Sequence, residues 1–410
     1  MNMTNFGAAT LAAIACTAGA VITLGGCGSS PQRTSLTDEQ LAERSAADTA
    51  EMRAILDSSV TKMLARSERE KEASPGEPPT IHFLAMSGGG DYGAFGAGFL
   101  VGWGQTTDPS MRRPDFDAVS GVSTGALLAP FAYVGTDEAC LQVENFYRNP
   151  KNDWVRERGL LFFLPDNPSF MTIPGLDRDL RAAFNKEFIA QMAEQSRAGK
   201  VLAISATALD LGRQRFWALG AEAEAAEASG DPDRVVKILL SSAAIPAVFP
   251  PVQIGDSVYA DGGVSANIFL RLDVREPTAY IPRWIAAHPD GPPVRVRYWV
   301  IVNNQLNHPP KTVQPRWPAI MGPSLATAIR SATLAEVRWL AAQADYVNTK
   351  YGTDIEVRVV GIPDSWRPPV EGDFKQETMA SLCDLGRKMG ADPSSWKVLA
   401  APEKSAAAGR

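Results

Sequence analysis

The stretch Gly121-Val122-Ser123-Thr124-Gly125 follows a short apolar run and sets a serine between two glycines. This spacing predicts a sharp strand-to-helix turn with the serine at its apex. A side chain on either flanking position would collide with neighbouring backbone, and the turn can demand positive φ. The serine then stands at a helix N-terminus, where the Thr124 amide and the helix dipole can stabilise negative charge developing on a carbonyl. The plainer alternative is a glycine-rich turn in which Ser123 only caps the helix.

Two further glycine clusters bear on that choice. Ser87-Gly88-Gly89-Gly90-Asp91-Tyr92-Gly93 follows Thr80–Met86, an apolar run with strand character. Consecutive glycines expose backbone amides, and a loop entering a helix near Gly93 can point several N–H groups at one anion. In Tyr259-Ala260-Asp261-Gly262-Gly263 a carboxylate ends a segment that reads as a strand or hairpin. An aspartate held there can serve as a base.

The order of these motifs resembles the patatin-like phospholipases, serine lipid acyl hydrolases with a Ser-Asp dyad. The resemblance runs from about residue 79 to at least residue 270, and Ser241–Pro251 looks like the helix end and loop that precede the family's D-G-G segment. It implies Ser123 as nucleophile, Asp261 as base, and Gly88, Gly89 and Gly90 as the oxyanion loop. The implied chemistry is an acyl-enzyme formed from phospholipids, lysolipids or neutral lipid esters, with no metal or other cofactor. One position departs from the pattern. The family usually has Arg or Lys before the last glycine of its first motif, where this chain has Tyr92. The missing positive charge bears on how an anionic headgroup would be held.

Only three histidines exist, which favours a dyad on independent grounds. His82 lies in the apolar run before the glycine loop and reads as an interior residue; His288 and His308 lie in turn-rich segments. Asp261 followed by His288 or His308 would still be an allowed order for a Ser-Asp-His triad of the α/β-hydrolase type. The Cys and His residues form no compact ligand cluster, which argues against zinc. Gly88, Gly90 and Gly93 also fit a dinucleotide-binding loop, with Asp115 or Asp117 as the ribose acid. The second strand, however, runs directly into the serine turn.

Residues Phe6–Leu24 are small, apolar and uncharged, and end at Leu24-Gly25-Gly26-Cys27, which resembles a bacterial lipobox. The resemblance implies cleavage before Cys27, lipid on its sulfur and amine, and anchoring of the protein to a membrane outside the cytoplasm, periplasmic or on the outer membrane. The n-region carries no Lys or Arg, so a secretory peptide or an uncleaved anchor helix stays open. Cys140 and Cys383 could pair in an oxidising compartment or remain isolated thiols.

Thr37-Asp38-Glu39-Gln40 is a capping-box signature opening a charged helix, with Leu41, Met52, Ile55, Leu56, Val60 and Leu64 at helical spacing. One face of it is expected to dock on the rest of the protein. Residues 150–176 form an aromatic insertion that reads as core or as an acyl-chain wall. Strands alternating with helices predict an α/β fold, a three-layer α/β/α sandwich with a largely parallel central sheet. The expected organisation is a signal peptide at 1–26, a tether and helix at 27–78, a catalytic domain at 79–362 and a C-terminal helical segment and tail at 363–410. The net charge of −6 argues against a nucleic-acid partner. A different class of function, lipid or partner binding without turnover on the same fold, remains open.

Overall fold

A computed structural model describes residues 33–74, 76–159, 167–269, 279–291, 294–307 and 310–401. Cys27, His308 and the whole of the apolar run at 160–166 lie outside the described residues. Helix α1 (Asp38–Ala73) starts at the capping box: Gln40 N–H donates to Thr37 Oγ1 at 3.2 Å and Thr37 N–H to Gln40 Oε1 at 2.9 Å. Then come β1 (Thr80–Met86), α2 (Gly93–Gly104), β2 (Ala118–Val122), α3 (Thr124–Val134) and α4 (Asp137–Arg148). A small ribbon of β3 (Arg156–Glu157) and β4 (Met171–Thr172) precedes α5 (Pro174–Ala183) and α6 (Lys186–Arg197). The hairpin β5 (Val201–Ala208) and β6 (Arg213–Ala218) leads to α7 (Leu219–Ser229) and α8 (Asp233–Ser242). A second hairpin pairs β7 (Val252–Ile254) with β8 (Ser257–Asp261). The chain closes with α9 (Tyr280–Ala287), β9 (Arg295–Gln305), α10 (Trp317–Tyr351), β10 (Asp354–Ile362), α11 (Gln376–Ala391) and β11 (Lys397–Ala400).

The central sheet has nine strands in the order β11-β10-β9-β1-β2-β5-β8-β7, with β6 also paired to β5. The run β10-β9-β1-β2-β5 is parallel throughout, and β6, β7, β8 and β11 join antiparallel. Side chains alternate between the two faces, as the strand pleat requires. Leu84, Met86, Trp299 and Ile301 enter one core with α2, α3, α4, α6, α8 and α11. Ile81, Phe83, Ala85, Tyr298 and Val300 enter the other, against α9 and α10. The result is the expected three-layer α/β/α sandwich with a largely parallel sheet.

Two packing details differ from the sequence reading. The segment after residue 362 adds β11 to the sheet and lays α11 on α2 within the single compact unit Leu36–Arg410. Here a Cβ on Gly98 or Gly102 would overlap the backbone of Cys383 or Arg387, and one on Gly386 or Gly390 that of Phe95 or Phe99. Glycine on both helices lets the two backbones touch. In α1 the expected apolar face docks in part: Met63 and Ser67 are buried and Val60 and Leu64 pack against the second core, while Leu56 is 50% exposed. Ion pairs add to this docking, among them Arg215 with Asp48 and Glu51, Arg213 with Asp48, and Arg66 with Asp115 and Asp117. Cys140 and Cys383 are buried free thiols.

Candidate active site

The sheet register assembles the site. β5 pairs with Val122 through Ser205 and with Asp261 through Ala206, the next residue along. Because β6 covers Ala203–Ala208 on one edge of β5, β8 joins the edge that β2 vacates at the serine turn. On the other side, Met86 pairs with Gly121, so the glycine loop leaves β1 one residue before the level of Ser123. Ser123, Asp261 and the loop therefore converge at the carboxyl ends of parallel strands, where open α/β sheets leave a crevice.

Ser123 has φ 54° and ψ −124°, a conformation that L residues avoid without surrounding constraint. The constraint is visible on both sides. A Cβ on Gly121 would overlap the Gly125 carbonyl, and one on Gly125 would overlap the Met86 carbonyl. Ser123 N–H donates to Ser242 Oγ at 2.9 Å, whose hydroxyl donates to the Ser205 carbonyl at 2.6 Å. Ser242, at the end of α8, thus holds the turn to β5. The following helix packs against the start of α2, since a Cβ on Gly93 would collide with the Thr124 side chain. Thr124 is pinned from the other side by the Tyr147 hydroxyl.

Asp261 ends β8, and its Oδ1 accepts Gly263 N–H at 2.7 Å. Its own N–H donates to the Ala244 carbonyl and its carbonyl accepts from Thr207 Oγ1, at 2.8 and 2.9 Å. Oδ2 is buried without an aligned hydrogen-bond partner. Burial drives the Asp261 pKa up to about 6, and the nearby Ser123 hydroxyl and the Gly263 amide pull it down. Both residues are nearly inaccessible, Ser123 at 5% and Asp261 at 3%.

Two asparagines shape the glycine loop. Gly88 N–H donates to Asn267 Oδ1 at 3.0 Å, and Asn267 Nδ2 donates to Thr333 Oγ1 of α10 at 2.8 Å. Asn303, in β9, donates its N–H to Ser87 Oγ and its side-chain amide to the Ser87 carbonyl. A Cβ on Gly88 would lie 2.9 Å from Ser123 Cβ, and one on Gly89 would overlap the Asn303 carbonyl. The Gly88 amide, expected to face an oxyanion, is therefore engaged. The Gly89 and Gly90 amides have no acceptor among the described residues. Neither asparagine carries a sequence motif. Only the position of Asn267 six residues after Asp261 could have drawn attention to it.

A narrow cavity beside Ser123 is lined by Leu127, Phe146, Trp154, Leu176, Phe249 and Phe374 among others. Its free space of about 30 Å³ is room for roughly two water molecules. Trp154, from the aromatic insertion, is both part of the core and part of this wall. Phe374 has φ 55°, and its N–H donates to Asp91 Oδ2 at 3.0 Å. Burial holds that carboxyl up at about 6. Tyr92 packs edge-on against Trp366, with centroids 5.4 Å apart.

The remaining candidates sit elsewhere. His288 bonds Trp284 and Glu68 where α9 meets α1, so it does not join Ser123 and Asp261. His82 accepts from Trp299 Nε1, and burial lowers it to about 4. With Asp115 and Asp117 it lines a larger polar cavity at the opposite, amino ends of the strands. There Asp115 pairs with Arg66 and Lys200, and Asp117 with Arg66 and the His82 amide. Neither aspartate is placed to read a ribose beside the glycine loop.

Residues 84–273 match the sequence profile of the family described as patatin-like phospholipase. No curated protein sequence matches the chain. Among solved structures it is similar to VipD from Legionella pneumophila, with 11% identity over 78% of this chain and 67% of that one, at a TM-score of 0.34. It is also similar to the type III effector protein ExoU, with 14% identity over 77% of this chain and 52% of that one, at a TM-score of 0.30. The chain thus spans about two thirds of the first and about half of the second.

Proposed function

We propose that this chain, a member of the patatin-like phospholipase family, is a serine lipid acyl hydrolase that works through an acyl-enzyme. The observation that carries the proposal is the meeting of a strained serine, a buried aspartate with an open oxygen and two unengaged loop amides beside an apolar cavity.

In this reading Asp261 Oδ2 takes the Ser123 proton as Oγ attacks the ester carbonyl carbon. The carbonyl oxygen becomes an oxyanion facing the Gly89 and Gly90 amides and the amino end of α3. Asp261 returns the proton to the leaving alcohol, and the acyl group stays on Ser123. Water then enters, loses a proton to the same carboxylate and releases the fatty acid. A pKa near 6 suits a general base, because the carboxyl is mostly ionised at neutral pH yet far more basic than an exposed aspartate. Gly88 plays a different part, locking the loop to Asn267.

The cavity as it stands is too small for a fatty acyl chain, so substrate entry requires Phe249 and Phe374 to move. Tyr92 is occupied by Trp366, and no cation replaces the family's Arg or Lys at that position; this favours general acyl-ester chemistry over recognition of one anionic headgroup. Acylation at Cys27 and attachment to a membrane outside the cytoplasm belong to the same proposal and rest on Leu24–Cys27 alone. Radiolabelled palmitate incorporated by the wild type and lost in Cys27→Ser is the expected result.

The proposal is tested with p-nitrophenyl butanoate and purified protein. Hydrolysis is expected, with a fall of at least about a thousandfold in Ser123→Ala and Asp261→Ala. Vesicle binding with no hydrolysis of any ester would support lipid binding without turnover.

A further inference from the structure

We propose that the free half of α10 is a docking surface for an anionic phospholipid bilayer, set on the same end of the molecule as Ser123. The helix returns from the carboxyl end of β9 to the amino end of β10, so its own amino end lies on the active-site side of the sheet. Only its second half is packed. Thr333, Val337, Leu340, Ala344 and Val347 are buried at spacings of four and three, and Thr333 meets Asn267 beside the glycine loop. From residue 319 to residue 332 no residue is fully buried, although Arg330 Nε is. At the helical rise per residue, the sixteen positions from Trp317 to Thr333 carry the tip about 24 Å beyond that contact.

The projecting half is apolar where solvent exposure gives no reason for it. Ile320 is 45% exposed and Met321 39%, and the neighbouring connections add exposed Val313 and Val370. Lys311 reaches Glu371 across these two connections at 3.7 Å, so they lie side by side. On the active-site side of the sheet, these exposed apolar groups suit an interaction surface.

Charge selects the partner. Asp and Glu make up 46 of the chain's 410 residues, yet residues 309–335 contain none, while Lys311, Arg316 and Arg330 lie in that stretch. Arg316 and Arg330 have no acidic partner among the described residues, and Arg330 Nε is buried without one. A local cationic segment with apolar side chains, on a chain of net charge −6, suits a surface that is itself both apolar and anionic. No helix among the described residues is long and apolar enough to cross a membrane, so α10 would lie on the bilayer rather than span it.

Vesicle co-sedimentation reads this directly, in a Cys27→Ser background so that no lipid attached there contributes, and with Ser123→Ala so that no lipid is consumed. Binding to mixed phosphatidylcholine–phosphatidylglycerol vesicles is expected to exceed binding to pure phosphatidylcholine vesicles by at least about tenfold, and to weaken with salt. Ile320→Asp with Met321→Asp, and separately Lys311→Ser with Arg316→Ser, should each lower it by about tenfold. In the Ser123 background both pairs should leave p-nitrophenyl butanoate hydrolysis and the thermal melt unchanged. Equal binding to the two vesicle types, or full binding by both variant pairs, overturns the proposal. Because sedimentation needs no turnover, failure of the hydrolase reading would leave this result intact.

Discussion

Val122 and Asp261 occupy successive places along one edge of β5, opposite Ser205 and Ala206. β2 ends, the chain turns out at Ser123, and β8 arrives from the opposite direction to fill the next place with a carboxylate. Two groups more than a hundred residues apart in sequence are thereby fixed by backbone pairing rather than by long side chains. In the proposed reaction such placement needs little reorganisation.

In the proposed mechanism the raised Asp261 carboxyl sets the acid limb of the rate profile. As a base it must be ionised, so kcat/KM for a soluble ester should fall about tenfold per pH unit below about 6 and level off above it. The profile from pH 4 to pH 9 checks this. A limb near 4 would show a carboxylate that burial does not perturb.

The same shift carries a stability cost. Its pKa in the folded state lies above that in the unfolded chain, so the folded state holds the proton more tightly. The corresponding stabilisation is full below about pH 4 and is lost as pH rises through about 6. Asp261→Asn removes the buried charge and should therefore raise the melting temperature at pH 8, by the equivalent of roughly 1–3 kcal/mol, with the difference shrinking towards pH 4. Thermal melts of both proteins across that range decide it.

Asn267→Ala deletes the acceptor of the Gly88 amide and the tie to Thr333. The loop amides lose their fixed aim while Ser123 and Asp261 are untouched. We expect kcat to drop about ten- to a hundredfold with KM changed far less, a smaller loss than deleting an oxyanion donor outright. Steady-state kinetics with an unchanged far-UV circular dichroism spectrum is the check.

Phe374 closes the cavity from a left-handed backbone position. Phe374→Ala should raise kcat/KM for p-nitrophenyl decanoate over butanoate by about two- to tenfold relative to wild type, because the longer chain is the one the aromatic wall blocks. An unchanged ratio would place the acyl path elsewhere.

The strands that present the motifs were legible from the sequence because each ends where glycine is forced. β1 spans Thr80–Met86 as read, and Gly121 and Gly125 flank the serine because neither has room for a Cβ. The three-layer fold followed from alternating strands and helices. What stayed hidden lies in tertiary pairing. Nothing local in Gly88 says that its amide is taken by a residue 179 positions away, and nothing near Asn303 announces that its side chain holds Ser87. The docking of α1 was legible in part: apolar spacing found Val60 and Leu64, which pack on the core beside Met63, whereas Asp48, Glu51 and Arg66 find long-range ion pairs that single-segment patterns cannot reveal. The reach of the last segment into the sheet went unseen because β11 is only four residues long.

The most direct measurement is labelling by a fluorophosphonate probe with peptide mapping, compared between wild type and Asp261→Asn. The account predicts a single modified residue, Ser123, with labelling slowed by at least about a hundredfold when Asp261 can no longer take the proton. Modification at another serine, or labelling of Ser123 at the same rate in both proteins, would contradict it.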